Sequence, residues 1–88
     1  MRKPTKKERA EFEKLKVEIL CHQFRYYVLS HPTISDYAYD ELEKRAYTLE
    51  CLIEGKAEEK TWQGKPSFII SSDNARDYPQ HIKDRLLR

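Results

Sequence analysis

Residues 22–50 read HQFRYYVLSHPTISDYAYDELEKRAYTLE, and this stretch decides the fold. Two helical patterns meet there across His31-Pro32-Thr33-Ile34. Pro32 biases His31 away from helical angles, so the first helix must end before it. Ser35 or Asp36 can then cap the second helix, because a short side-chain oxygen accepts one of the free amide hydrogens at a helix start. Tyr26 and Tyr27 close the first helix, and Asp36, Tyr39 and Asp40 open the second. Asp36 and Asp40 are four apart and share a face, with Tyr39 beside them. A closed hairpin sets two tyrosines against two aspartates. Flat rings with carboxylates suit a planar, partly cationic ligand that carries sugar hydroxyls.

Working outward, Thr5-Lys6-Lys7-Glu8 fits the capping-box pattern, with Pro4 just upstream. The first helix is expected over about 6–29. Phe12, Leu15, Ile19, His22 and Tyr26 recur at spacings of three and four, and Leu20, Phe24 and Val28 widen the stripe. So wide an apolar face needs a cover. A second helix over about 36–54 supplies it through Tyr39, Leu42, Ala46, Leu49 and Ile53, with Gly55 as the stop. The short connection makes the two helices antiparallel neighbours. Residues 56–77 read as loop or extended chain. In it, Trp62 is expected to pack on the hairpin and Phe68-Ile69-Ile70 to tuck against it. Pro79 suits the first position of a last helix over about 79–87, docked by Ile82 and Leu86. The expected architecture is all-α: one domain, residues 1–88, built as an antiparallel helical hairpin with a short C-terminal helix.

Composition bounds the function. Charged residues make up 36% of 88 and mean hydropathy is −0.90, so much of the helix surface is solvated. Six tyrosines argue for a folded module rather than a disordered one. A net charge of +2 does not by itself call for nucleic acid. Seven Lys/Arg against three Glu in residues 1–16 leave a basic start that could meet a phosphate backbone or simply be solvated. Cys21 and Cys51 lack metal or redox spacing and read as reduced thiols of a cytoplasmic protein. No apolar run is long enough for a membrane span.

The stretch also resembles the N-terminal domain, called Ia, of bacterial NAD-dependent DNA ligases. That family carries a Tyr-Tyr or Tyr-His pair, then Pro-x-Ile-Ser-Asp-x-x-Tyr-Asp-x-Leu. The corresponding residues here are Tyr26-Tyr27 and Pro32-Thr33-Ile34-Ser35-Asp36-Tyr37-Ala38-Tyr39-Asp40-Glu41-Leu42. The likeness fades after Glu50. It implies a site for NAD or nicotinamide mononucleotide (NMN). Tyr39 or Tyr26 would stack on the nicotinamide, with Tyr27 at its edge. Asp36 and Asp40 would bind ribose hydroxyls or the carboxamide, flanked by His22 and His31. Each residue has a plainer reading: core aromatics for the tyrosines, helix-start charges for the aspartates, surface or helix-face rings for the histidines.

The family's Lys-x-Asp-Gly nucleophile is absent from these residues, so the chain is not expected to seal DNA alone. The resemblance then implies a free-standing module that binds the nucleotide, acts in trans with a ligase adenylation domain, or sequesters the nucleotide, and a small free-standing copy of an enzyme module suggests a viral or mobile-element origin. Two alternatives stay open. One is a protein-interaction or nucleic-acid-binding helical module without nucleotide binding. The other is one subunit of a split NAD-dependent DNA ligase.

Overall fold

The structure is a computed structural model that describes residues 2–55 and 65–87. It is all-α, with no strand among the described residues. Helix α1 (Lys6–Gln23) runs without a break into a π-helical segment (Phe24–Val28). Helix α2 (Asp36–Glu54) returns alongside α1. A 3₁₀ turn (Ala75–Asp77) then leads into the short helix α3 (Gln80–Leu86).

The ends are set by local chemistry. The Thr5 hydroxyl accepts from the Glu8 amide at 3.1 Å, and the Glu8 carboxylate accepts from the Thr5 amide at 3.0 Å. This is the expected capping box, which satisfies two amides that have no helical partner. Arg2 adds two contacts of 2.6 Å to Glu8, and together these hold the Glu8 carboxyl down to about 2. At the start of α2 it is Ser35 that caps, its hydroxyl accepting from the Ala38 amide at 3.1 Å. At the end Gly55 takes φ 70°, a left-handed angle that costs a residue without a Cβ little. Helix α3 begins one residue later than expected, with Pro79 preceding it in extended geometry.

The wide stripe of α1 has two covers rather than one. Against α2, Leu15 and Ile19 pack on Ala46 and Leu49, flanked by Phe12, Tyr39 and Leu42. Around the other side, Leu20, Cys21 and Phe24 pack on Tyr78 and Ile82, flanked by Val17, Val28 and Leu86. Phe68 touches both clusters, and its ring meets Phe12 edge-on at 5.8 Å. Ile19, Phe24, Leu49 and Ile82 are completely buried. Full burial of such a side chain contributes roughly 1.5–3 kcal/mol. Helix α1 is therefore the central element, between α2 and the C-terminal segment.

Two buried polar side chains pin that segment. The Gln23 amide nitrogen donates to the Ser71 hydroxyl at 3.2 Å, and its oxygen accepts from the Ile70 amide at 3.1 Å. The Glu50 carboxylate accepts from the Ser67 amide at 3.0 and 3.1 Å and from the Ser67 hydroxyl at 2.9 Å. The Tyr78 hydroxyl closes the following loop by donating to the Ser72 carbonyl at 2.8 Å. Cys21 and Cys51 are buried free thiols. The expected packing of Trp62 falls outside the described residues.

Candidate functional site

The closed end of the hairpin, around the connection between its helices, forms a cleft of about 290 Å³. That is near the small end for ligand pockets, roughly 300–1,000 Å³. Helix α1 and the π segment supply His22, Gln23, Tyr26 and Tyr27. The connection supplies Pro32, Thr33 and Ile34, and the first turns of α2 supply Asp36, Tyr39 and Asp40.

Two adjacent tyrosines reach one cleft from the π segment. Here the Leu29 amide bonds the Phe24 carbonyl five residues back at 3.1 Å, and the His31 amide bonds the Arg25 carbonyl at 2.8 Å. The last turn is widened, and Ser30 leaves it at φ 53°. Tyr26 and Tyr27 both line the cleft, with ring centroids 4.9 Å apart and planes at 80°. Single π turns inside helices are uncommon and recur at functional sites.

Tyr39 sits half-buried opposite them. Burial, reinforced by the neighbouring Glu43 carboxylate, pushes its hydroxyl well above the ordinary phenol value, so it remains a neutral donor. Burial, followed by the Arg25 charge, pushes the His22 imidazole below its ordinary value despite Glu18 nearby. The ring is held neutral and polar at the cleft edge. Asp36 and Asp40 are exposed on the rim, and neither side chain makes a hydrogen bond or ion pair with another described residue.

Six of the seven residues singled out from sequence thus line one cleft: His22, Tyr26, Tyr27, Asp36, Tyr39 and Asp40. His31 does not; it is exposed beyond the last widened turn. Gln23 was not anticipated. Its signal was a polar side chain four residues after Ile19, inside an otherwise apolar stripe. No His/Cys/Asp/Glu group that could hold a metal ion occurs among the described residues, and none of their helices is long and apolar enough to cross a membrane.

Comparison with known proteins agrees with the motif. Residues 5–52 match the family described as DNA ligase-like, N-terminal NAD+-binding domain. A DNA ligase of Fervidobacterium nodosum is 52% identical over 46 residues, 52% of this chain and 7% of the ligase. A DNA ligase of Sulfurihydrogenibium is 39% identical over 80 residues, 90% of this chain and 11% of the ligase. One of Persephonella marina is 38% identical over 71 residues, 81% of this chain and 9% of the ligase. The likeness therefore extends beyond Glu50, further than the motif alone suggests. The chain spans about a tenth or less of these relatives' length. No solved structure gives a significant match. With a family match over more than half of its length, on the residues that build the hairpin and its cleft, the chain belongs to the DNA ligase-like N-terminal NAD+-binding domain family.

Proposed function

We propose that the cleft binds the nicotinamide mononucleotide part of NAD, or NMN itself. The observation that carries this reading is the pair Asp36 and Asp40. Two carboxylates without partners among the described residues stand on the rim of a cleft walled by Tyr26, Tyr27 and Tyr39. An oxidised nicotinamide ring is cationic and is attracted to an aromatic face. Ribose hydroxyls and a carboxamide are donors that a carboxylate accepts in charge-assisted bonds. Tyr39 or Tyr26 takes the ring, Tyr27 its edge, and Asp36 and Asp40 the sugar or amide. A neutral His22 can share in that hydrogen bonding. His31, outside the cleft, takes no part at the ring and could meet only a phosphate.

Chemically, such a site holds and orients a leaving group. Alignment of this kind lowers a barrier through entropy without supplying a nucleophile. No Lys-x-Asp-Gly occurs within these residues, so any adenylation would use a lysine from elsewhere, in another domain or another chain. Calorimetry with NAD, NMN and AMP tests the reading. NMN and NAD should bind and AMP should not. Equal affinity for AMP and NMN contradicts it, as does absence of NMN binding up to about millimolar, where binding energy has fallen to roughly 4 kcal/mol.

A further inference from the structure

Gln23 has two neighbourhoods. Its side chain lines the cleft and lies beside the Tyr39 hydroxyl. The same amide is 2% exposed and carries the bonds to Ile70 and Ser71. A primary amide has two N–H donors and one carbonyl oxygen. One donor goes to the Ser71 hydroxyl, the oxygen is taken by the Ile70 amide, and the residue shares the cleft wall with Tyr39. Rotating Gln23 to serve the cleft differently would break a bond to the C-terminal segment. Conversely, lifting residues 70–71 would leave a buried amide with neither of those partners, a costly state.

The segment is built to present those groups. Ser71 holds φ 49°, unusual for a residue with a Cβ. The chain is anchored on one side by Glu50 to Ser67 and on the other by Tyr78 to Ser72. Between these anchors the contact with the cleft wall runs through Gln23.

We propose that Gln23 is a positioning residue that couples docking of residues 67–72 to nucleotide binding in the cleft. The inference rests on the NMN reading above. A docked segment fixes the Gln23 amide, and the fixed amide holds Tyr39, which presents its ring to the nicotinamide. Coupling is reciprocal: whatever the docked segment adds to nucleotide affinity, the nucleotide adds to docking. Ser71 does not itself line the cleft and meets it only through Gln23, so it reports coupling without removing a ligand contact.

The test titrates NMN into the full chain and into Ser71→Ala, Gln23→Met and the double variant, with helix content followed by circular dichroism. Ser71→Ala should keep its helices and bind NMN at least about fivefold more weakly, the lower end of typical coupling between sites. The double variant should bind no more weakly than Gln23→Met alone, because both changes cut one connection. In the parent chain, saturating NMN should slow hydrogen exchange at the Ile70 amide more than at Leu49 in the hairpin core. Parental affinity in Ser71→Ala overturns the coupling and leaves the NMN reading standing. Strict additivity in the double variant, or equal slowing at Ile70 and Leu49, also overturns it. If Gln23→Met does not fold, Ser71→Ala and the exchange measurement decide alone. A parent chain that does not bind NMN up to about millimolar removes both the inference and the reading beneath it.

Discussion

Between α1 and α2 the contact is carried by Leu15, Ile19, Ala46 and Leu49, all apolar and all buried. Between the hairpin and residues 65–87 it is carried by Leu20, Phe24, Tyr78 and Ile82, with Gln23 of α1 and Glu50 of α2 as buried polar pins. The first contact depends on shape and helical period, which many side-chain combinations satisfy. The second depends also on individual hydrogen bonds with fixed partners, each strong when made and expensive when broken. The cleft adjoins the second contact, since Gln23 lines the one and pins the other. The family match falls on residues 5–52, the hairpin, while the pinning partners Ser67, Ile70 and Ser71 lie outside it.

The largest expected effect is in the hairpin. Leu49 is completely buried, and Leu49→Ala should cost about 2–5 kcal/mol in denaturant unfolding. Leu42 lies partly exposed at the edge of the same cluster, so Leu42→Ala should fall at or below the low end of that range. Equal costs at the two positions would mean that the hairpin core is not centred on Leu49.

Glu50→Ala comes next and addresses the other contact. It leaves the Ser67 amide and hydroxyl without their acceptor, and hydrogen bonds to a charged group contribute about 1.5–3 kcal/mol. Hydrogen exchange at Ser67 should accelerate while amides in the middle of α1 and α2 keep their protection. Uniform acceleration along the chain would show that segment and hairpin form one cooperative unit. Tyr78→Phe is milder. It removes a hydroxyl that donates to the Ser72 carbonyl and accepts from its amide but keeps the ring against Phe24 at 5.2 Å. The expected loss in thermal or denaturant unfolding is about 0.5–1.5 kcal/mol.

The smallest expected effect is a pH dependence from His22. Burial and Arg25 hold its folded-state value below the ordinary 6.5. As pH falls, the unfolded chain takes up the proton before the folded chain does. The His22 contribution is therefore complete above about 6.5 and declines below it until the folded ring also protonates. Replacing His22 by Asn should flatten the slope of stability just below about pH 6.5. A slope unchanged in that variant would assign the dependence to other groups.

How much of this was legible in sequence follows from the same contrast. The hairpin and the caps at Thr5, Ser35 and Gly55 follow from helical period and local chemistry that a single stretch displays. The docking of α3 through Ile82 followed from its apolar spacing. The sequence around Gln23 and Glu50 does not name their partners, which are 47 and 17 positions away, though Gln23 stands out as polar within an apolar stripe. Nothing local announces a long-range polar pin. The π turn was also hidden, since the sequence of residues 24–28 suits an α-helix equally well. Sequence alone sets both Tyr26 and Tyr27 at the ligand, one at its face and one at its edge, without that turn in view. His31 was drawn in by its closeness along the chain, and the widened turn carries it outside the cleft.

The central claim is that Asp36 and Asp40 serve a nicotinamide nucleotide rather than the helix. Ser35 supplies the cap, so Asp36→Asn and Asp40→Asn should leave unfolding nearly unchanged. The decisive measurement is calorimetric titration of NMN into the parent chain and into Asp40→Asn. The account predicts measurable binding by the parent and a variant that is folded, as stable as the parent, and roughly ten- to a hundredfold weaker, the loss of one charge-assisted hydrogen bond. A folded Asp40→Asn chain that titrates with NMN like the parent would contradict it.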